Sequence, residues 1–416
     1  MNGVTVLLLL AGRNVFRNRR RSLLTLGAIA LALMSLLVFL ALKRGLHEKM
    51  IQGTMTLHLG ALQVQAAGYQ ANLAVLSPLD APEQVAALMR HKGMTVAPRL
   101  SSPALVLAGR RSVSVVLTGV EADLERQVTV IAQRVVAGTY LAGEGEVLLS
   151  RRLAAALELH SGDKLRIMTQ DGNGRPQVRD LPIGGVYETA LTSFDLGHVF
   201  VAIGTLQGLL SAPGAVTALV AAPPSRAVSG HRQAEEIMAG WDKDLRGQLD
   251  GTHYQIVPWQ EAAPDVYQLI ELNDGTMRLL IGIVFVLVGL GIANTMTMSV
   301  YERFRELGVL ASSGLTPAGT VMLILAEAAL LGLAAALLGT ILGGSICLWL
   351  AVHGIDLTKL TSANQYFTDT HLLKAVMTPG DFLLANAVTV LTALVAGILP
   401  ALHAARLEPA ESLRHV

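Results

Sequence analysis

The residues best placed for chemistry lie in one short charged stretch, 301–314, between two long apolar runs. Glu302 and Glu306 are four residues apart and would share one face of a helix. The opposite face is apolar, and Gly314 would end the helix. This pattern favours non-covalent docking of a protein partner, and the alternative is an ordinary charged loop. The residues predicted to form the docking element are Glu302, Arg303, Arg305, Glu306, Leu307, Gly308, Leu310 and Gly314.

Covalent chemistry is not indicated. His47 and Glu48 do not begin a zinc-protease helix, because Ile51 stands where the second histidine is required. Ser345 lies in an apolar block, but the only histidine near the core of a span is His403, which lies at a membrane end. The sequence has no G-x-x-x-x-G-K-[ST] loop for phosphate. We therefore expect no catalytic, metal-binding or cofactor-binding residue, so that any ATP and Mg²⁺ would be bound by a partner.

Glu327 is the only acid in the middle of an apolar block. A charge at the centre of a bilayer costs about 2.5 kcal/mol or more, so such an acid has either a buried partner or a function. Two interpretations stay open for Glu327, a structural bond to a neighbouring helix and a role in coupling. Gly332, Gly339 and Gly343 follow, and the last two have the small-x-x-x-small spacing that lets helices approach closely. We expect a helix-packing face there.

Membrane spans must position these residues. The 416 residues are 52% hydrophobic and only 15% charged, against about 25% charged in soluble proteins. A span needs about 20 apolar residues. Four blocks meet this requirement, namely 23–42, 279–300, 320–352 and 382–402. The third is interpreted as one tilted helix. The formal net charge of +1 gives no indication of nucleic-acid binding.

Charge distribution predicts the orientation of the spans. Five arginines crowd before the first span, which places the N-terminus in the cytoplasm. Residues 1–22 are then a cytoplasmic amphipathic helix, not a signal peptide, because the charges follow the apolar run. Counting spans places 43–278 and 353–381 outside, and 301–319 and 403–416 inside. The predicted fold is therefore an α-helical membrane protein with four transmembrane helices and a large extracytoplasmic domain between helices 1 and 2.

The extracytoplasmic domain has the pattern of a mixed α/β fold. Apolar and polar residues alternate at 94–98, 104–108 and 112–120, which predicts three strands. The Asp-Gly-Asn-Gly sequence at 171–174 predicts a hairpin turn. The only cysteine, Cys347, lies in the third apolar block, so the domain has no disulfide.

The motifs resemble those of the FtsX-like permeases, the family that includes the lipoprotein-releasing and macrolide-exporter-type permeases. Residues 302–314, ERFRELGVLASSG, are similar to the family's E-R-x-R-E-[IL]-G-[VI]-L-[RK]-A-[LI]-G motif, and Ser312 and Ser313 are among the positions that depart from it. Further similar segments are 11–25, 118–120, 136–141, 147–159, 161–165, 325–332 and 400–409. The resemblance covers nearly the whole chain and is greatest to the lipoprotein-releasing permeases.

The resemblance implies a mechanotransmission-type ABC permease in the bacterial inner membrane. Two permeases, identical or paralogous, would assemble with a cytoplasmic ATPase dimer that docks on 302–314. Such a complex would pass lipoproteins from the outer leaflet to a periplasmic carrier. The surface for lipid or client would be formed by the apolar faces of the spans and by the membrane-proximal helix, with Leu46, Met50, Met55 and Leu57. The alternatives are efflux of small hydrophobic drugs or peptides, and regulation of cell-wall hydrolases, against which the size of the domain argues.

Overall fold

The computed structural model of the protein describes residues 10–14, 19–69, 76–189, 191–224, 231–356 and 372–406. The chain forms two compact units. The helical unit comprises Met1–His47, Ile270–Leu357 and Leu372–Val416, and the α/β unit comprises Glu48–Leu269 and Thr358–His371. Of the predicted amphipathic helix before residue 19, only 10–14 are described, and they are helical. Residues 357–371 of the predicted loop and 407–416 of the predicted tail lie outside the described residues.

The helices with described bounds are numbered in chain order. They are α1 (Arg19–Thr54), α2 (Pro82–His91), α3 (Ala122–Val128), α4 (Arg151–Leu157), α5 (Thr192–Gly197), α6 (Ile203–Leu209), α7 (His231–Gln248), α8 (Trp259–Ala262), α9 (Pro264–Glu302), α10 (Phe304–Ser312), α11 (Pro317–His353) and α12 (Pro379–Ala405). A π-helical turn, Met55–Leu59, continues α1, and a 3₁₀ turn covers Ile131–Arg134.

Among the described residues, four helices are long and apolar enough to span a membrane, and they are α1, α9, α11 and α12. Helices α1, α9 and α11 have 36, 39 and 37 residues, which exceeds the roughly 20 that a crossing needs. They continue past the predicted spans because no proline interrupts the polar residues beyond each apolar block. The third block is a single helix, α11, which begins at the cap Thr316, whose hydroxyl accepts a hydrogen bond from the Gly319 amide.

The α/β unit is built on one mixed sheet. Its strands are β1 (Leu62–Ala66), β2 (Val96–Ala108), β3 (Arg111–Val120), β4 (Val135–Gly138), β5 (Val147–Ser150), β6 (Lys164–Gln170), β7 (Pro176–Tyr187), β8 (His198–Ala202), β9 (Ala218–Ala221) and β10 (Tyr254–Pro258). The strand order is β10-β1-β9-β2-β3-β8-β5-β7-β4, and β6 pairs with β2 and β7. The β3–β8 and β5–β7 pairs are parallel. In the helical unit, β11 (Ile355–Asp356) pairs with β12 (Leu372–Leu373).

Strand β2 differs from the prediction. The separate strands predicted at 94–98 and 104–108 are one strand of 13 residues that contains Pro98 and Pro103. Pro98 lies where β2 pairs with β9 but not yet with β3, and Pro103 lies where it pairs with β3 alone. A proline is tolerated in a strand where its missing N–H would face no partner strand. The sheet therefore continues through both prolines.

Candidate functional site

The predicted docking element is a short helix with sharp ends. Helix α9 runs to Glu302, and α10 begins only at Phe304, because Arg303 has non-helical dihedral angles, φ −113° and ψ 20°. Glu302 therefore belongs to the end of the second long helix. Gly314 adopts φ +98°, a left-handed conformation that glycine accepts without strain, and it follows the last helical turn.

Helix α10 has an inward and an outward face. Leu307 is 5% exposed and Gly308 is buried, and Leu307 packs in the core of the helical unit. Leu310 lies partly buried against the same core. Glu302 and Arg305 are exposed. Of the residues predicted to dock a partner, Leu307 and Gly308 are thus held by the chain itself, and Glu302 and Arg305 remain accessible.

Glu327 lies in a cluster of three segments. The Arg303 guanidinium Nη1 lies 2.9 Å from Glu327 Oε1 and 3.1 Å from Oε2. Asn14 Nδ2 donates a hydrogen bond of 2.6 Å to Glu327 Oε1. Arg303 Nε also lies 3.6 Å from Glu306 Oε2. The cluster joins residues 10–14, the start of α10 and the third long helix, α11.

The charges of this cluster are largely buried, and each has partners within the cluster. The Glu327 side chain is 7% exposed and that of Arg303 is 15% exposed. Buried charges need both a counterion and hydrogen bonds, and Glu327 has both through Arg303 and Asn14. Separating them would leave a charge without a partner, so α10 and α11 resist moving apart. Glu327 therefore has a structural partner, and that partner is a residue of the predicted coupling element.

The glycines of α11 contact two other helices. A Cβ at Gly332 would lie 2.9 Å from the Ala393 Cβ of α12. A Cβ at Gly339 would lie 2.9 Å from the Ala30 carbonyl oxygen of α1, and one at Gly343 would lie 3.1 Å from Leu37. Helix α11 therefore packs against α12 through one glycine and against α1 through two others.

Sequence reasoning missed the polar contacts at the other end of α1. Lys43 Nζ lies 2.7 Å from Asp274 Oδ1 of α9, and Arg44 Nη2 lies 3.1 Å from Asp381 Oδ1 of α12. A Cβ at Gly45 would overlap the Lys374 carbonyl oxygen. The sequence does show charged residues on each side of the apolar blocks. Which of these residues form ion pairs depends on how the helices pack, and the sequence does not show that.

The predicted lipid or client surface needs correction. Met50, Met55 and Leu57 are only 6%, 1% and 3% exposed, and Leu46 is partly buried. They are not an open surface, because the π-helical turn folds into the α/β unit, where Leu57 packs in a cluster with Tyr187.

Exposed apolar residues lie on all four long helices, and on α9 five aliphatic side chains are more than 60% exposed. They are Leu272, Leu279, Val286, Leu287 and Leu290. A cleft of about 580 Å³ between α1 and α9 is lined mainly by apolar residues, including Leu24 and Ile292. Helix α9 thus exposes apolar side chains along much of its length.

Two family models match the chain, and together they cover most of the helices and strands described above. The FtsX-like permease C-terminal model matches residues 278–409, which contain Glu327 and helices α10 to α12. The MacB-like periplasmic core domain model matches residues 22–234. The protein is therefore a membrane permease of the ABC transporter class. The chain belongs to the FtsX-like permease family, in the form that carries a MacB-like periplasmic core domain, and the predicted family is confirmed.

The chain is similar to proteins named LolC and to proteins named MacB. It is 24% identical to the lipoprotein-releasing system transmembrane protein LolC of Xylella fastidiosa strain 9a5c, over 77% of each chain. It is 23% identical to LolC of Neisseria meningitidis serogroup B, over 95% of this chain and 94% of that one. It is 24% identical to the macrolide export ATP-binding/permease protein MacB of Agrobacterium fabrum, over 99% of this chain but 60% of MacB.

Proposed function

We propose that the chain is the permease subunit of an ABC transporter that releases lipoproteins from the outer leaflet of the inner membrane to a periplasmic carrier. ATP would be hydrolysed by a separate ATPase docked on α10. The observation that carries the proposal is the match to LolC of N. meningitidis over nearly the full length of both chains. The match to MacB, by contrast, covers 60% of that protein.

The geometry supports force transmission from α10 to the spans. A partner that moves α10 also moves Arg303, and the buried Arg303–Glu327 pair passes that movement to α11. Helix α11 packs closely against α1 and α12 through Gly339 and Gly332, so the spans would move together. Displacement of α10 would therefore change the arrangement of the helical unit.

The apolar surface of α9 supports a lipid-anchored client. Acyl chains are held in a membrane by about 0.8 kcal/mol per buried CH₂, so extraction requires a substitute apolar surface. The exposed side chains of α9 and the cleft that α9 forms with α1 supply one. A second permease, identical or paralogous, would complete the transporter.

Export of small hydrophobic molecules is the second candidate. Its specific support is the similarity to MacB together with the size of the α1–α9 cleft, about 580 Å³, which lies within the usual range of small-molecule sites. The ATPase and the docking role of α10 would be the same in both cases, and the client would differ.

Purification of the tagged chain from native membranes, followed by mass spectrometry, tests the proposal. We expect an ATPase, a second permease copy or paralogue, and a bound triacylated protein. Absence of any ATPase would contradict the permease mechanism, and a bound small molecule without lipoprotein would select export.

Charge reversal at α10 tests the docking site. Glu306→Lys should leave the chain inserted in the membrane but prevent recovery of the ATPase. Glu83→Lys, at an exposed position on α2, is the matched control and should leave recovery unchanged. Equal ATPase recovery with Glu306→Lys would remove α10 as the docking element.

A further inference from the structure

The polypeptide that follows α1 is bonded into the α/β unit at several points. The Thr56 carbonyl of the π-helical turn accepts a hydrogen bond of 3.0 Å from the Val130 amide. The Ala61 carbonyl accepts one of 3.1 Å from the Trp259 amide. Gly60 adopts φ +67°, and a Cβ there would overlap the Ala221 carbonyl oxygen. Because π-helical turns are rare and often functional, this junction is a candidate for a specific role.

Arg99 of β2 makes the charged contact at this junction. Its Nη1 donates a short hydrogen bond to the His58 carbonyl and lies 3.4 Å from His58 Nδ1. Its Nε and Nη2 donate bonds of 3.1 and 2.6 Å to the two carboxylate oxygens of Glu125 on α3. The Thr129 hydroxyl donates a further bond of 2.9 Å to Glu125 Oε1. One guanidinium therefore joins the π-helical turn after α1, strand β2 and helix α3.

The pair is among the most deeply buried charges in the described part of the chain. The Arg99 and Glu125 side chains are 3% and 1% exposed. A buried ion pair is poor evidence for stability, because apolar residues of similar volume often stabilise a fold as well or better. Arginine, however, presents several N–H donors in a rigid planar fork, and Glu125 fixes that fork while Nη1 remains directed at the His58 carbonyl. The arrangement thus fixes a position more than it adds stability.

Aromatic rings surround the His58 side chain. The ring of His58 lies 5.3 Å from that of Phe194 and 4.8 Å from that of His198. Burial lowers the pKa of His198 to about 4, and the nearby Arg99 charge acts in the same direction. The His198 ring is therefore neutral near pH 7, and Glu125 acts as the counterion of Arg99.

We infer that Arg99 is a positioning residue. It fixes the π-helical turn that continues α1, Met55–Leu59, to the sheet and to α3 of the α/β unit. Movement of the first long helix would then be transmitted to the α/β unit without loss in a flexible joint. The inference rests on the proposed function, since it assigns the element by which ATP-driven movement reaches the α/β unit.

Arg99→Lys in the full transporter is the direct test. Lysine keeps the charge but cannot bond Glu125 through two nitrogens while also bonding the His58 carbonyl. We expect ATP hydrolysis to be retained and client release to fall about tenfold, a typical size for coupling between sites. Arg166→Lys is the control, because Arg166 pairs with Asp180 at 2.7 Å in the same sheet with side chains 59% and 40% exposed. It should change neither rate.

A distance measurement separates this inference from the proposed function. Spin labels at Gln52 and Gln127, two exposed positions, with Cys347 replaced by alanine, report on the joint in the absence of any client. Arg99→Lys should broaden the distribution of distances, and Glu125→Gln is the second variant if the first does not fold. An unchanged distribution, or release that falls only in proportion to ATP hydrolysis, would overturn the inference. Lack of release by the unmodified transporter would instead contradict the proposed function.

Discussion

At the scale of single residues, the proposed coupling depends on the contact between Glu327 and Arg303. Charged and polar types at 302–306 are visible in the sequence, and so is the isolated acid at 327. Their pairing was not predictable, because the partners are 24 residues apart and Asn14 comes from 313 residues away. Such contacts depend on how helices pack, whereas residue type and helical spacing are local properties.

Glu327→Gln should uncouple ATP hydrolysis from transport. Glutamine has nearly the same size but removes the carboxylate closest to the partly buried Arg303 charge, which costs up to about 3 kcal/mol. We expect the ATPase still to bind and its stimulation by client to be lost, as measured in proteoliposomes. Thr340→Val, which removes the 3.0 Å contact to Asn386 between α11 and α12 far from α10, is the control. Normal stimulation with Glu327→Gln would show that the pair does not couple.

His198 predicts a pH dependence of the α/β unit. Its pKa is lowered by burial to about 4 in the folded chain, against 6.5 for an ordinary histidine. The unfolded chain therefore binds more protons between these values, and the contribution of His198 to stability is complete above pH 6.5 and falls as the pH falls towards 4. From pH 7 to pH 5 the loss is on the order of 2 kcal/mol.

Denaturation followed by the fluorescence of Trp241 and Trp259, with Trp349 replaced by phenylalanine, measures this loss. His198→Phe should remove about 2 kcal/mol of the difference in unfolding free energy between pH 7 and pH 5. Burial raises the pKa of Asp195 to about 6, so its contribution to the pH dependence of stability has the opposite sign. This contribution is present in both chains and cancels when the variant is compared with the parent. An identical pH dependence in both chains would contradict a neutral buried His198.

At the scale of elements, the features that depend on local sequence were predicted better than the features that depend on tertiary contacts. The amphipathic pattern and Gly314 predicted a short helix, and the structure has α10 at Phe304–Ser312. The predicted break in β2 was wrong, because the rule against prolines in strands depends on whether a neighbouring strand faces the missing N–H. The exposed surface predicted for Met50, Met55 and Leu57 was also wrong, because their burial depends on docking of the helix end.

The contact between α11 and α1 predicts that substitution of a glycine in this contact destabilises the chain, whereas substitution of a glycine on an open helix face does not. Gly339→Ala should destabilise the chain by about 1–3 kcal/mol, because the added Cβ meets the Ala30 carbonyl and the helices must move apart. Gly282→Ala, on α9 with no atom within 4 Å of the added Cβ, should be neutral or slightly stabilising. Thermal unfolding in detergent measures both. Equal effects would show that the glycine contact does not hold α11 against α1.

At the scale of the whole molecule, the chain combines four apolar helices, a short charged helix and an α/β unit. The composition and the clustering of apolar residues predicted the membrane character, since apolar blocks of about 20 residues or more have the length that a bilayer crossing requires. The sequence also predicted the family, because its motifs are distributed along the chain. The identities of 23–24% to LolC and MacB support the permease class shared by both.

Release of a lipidated protein from proteoliposomes is the decisive measurement for the proposed transport. The chain would be reconstituted with its co-purified ATPase and permease partner, and transfer of a triacylated client to a soluble periplasmic carrier would be followed after addition of ATP. We predict ATP-dependent transfer that disappears with Glu306→Lys and persists with Glu83→Lys. ATP hydrolysis without transfer of the client, or transfer that survives Glu306→Lys, would contradict lipoprotein release driven through α10.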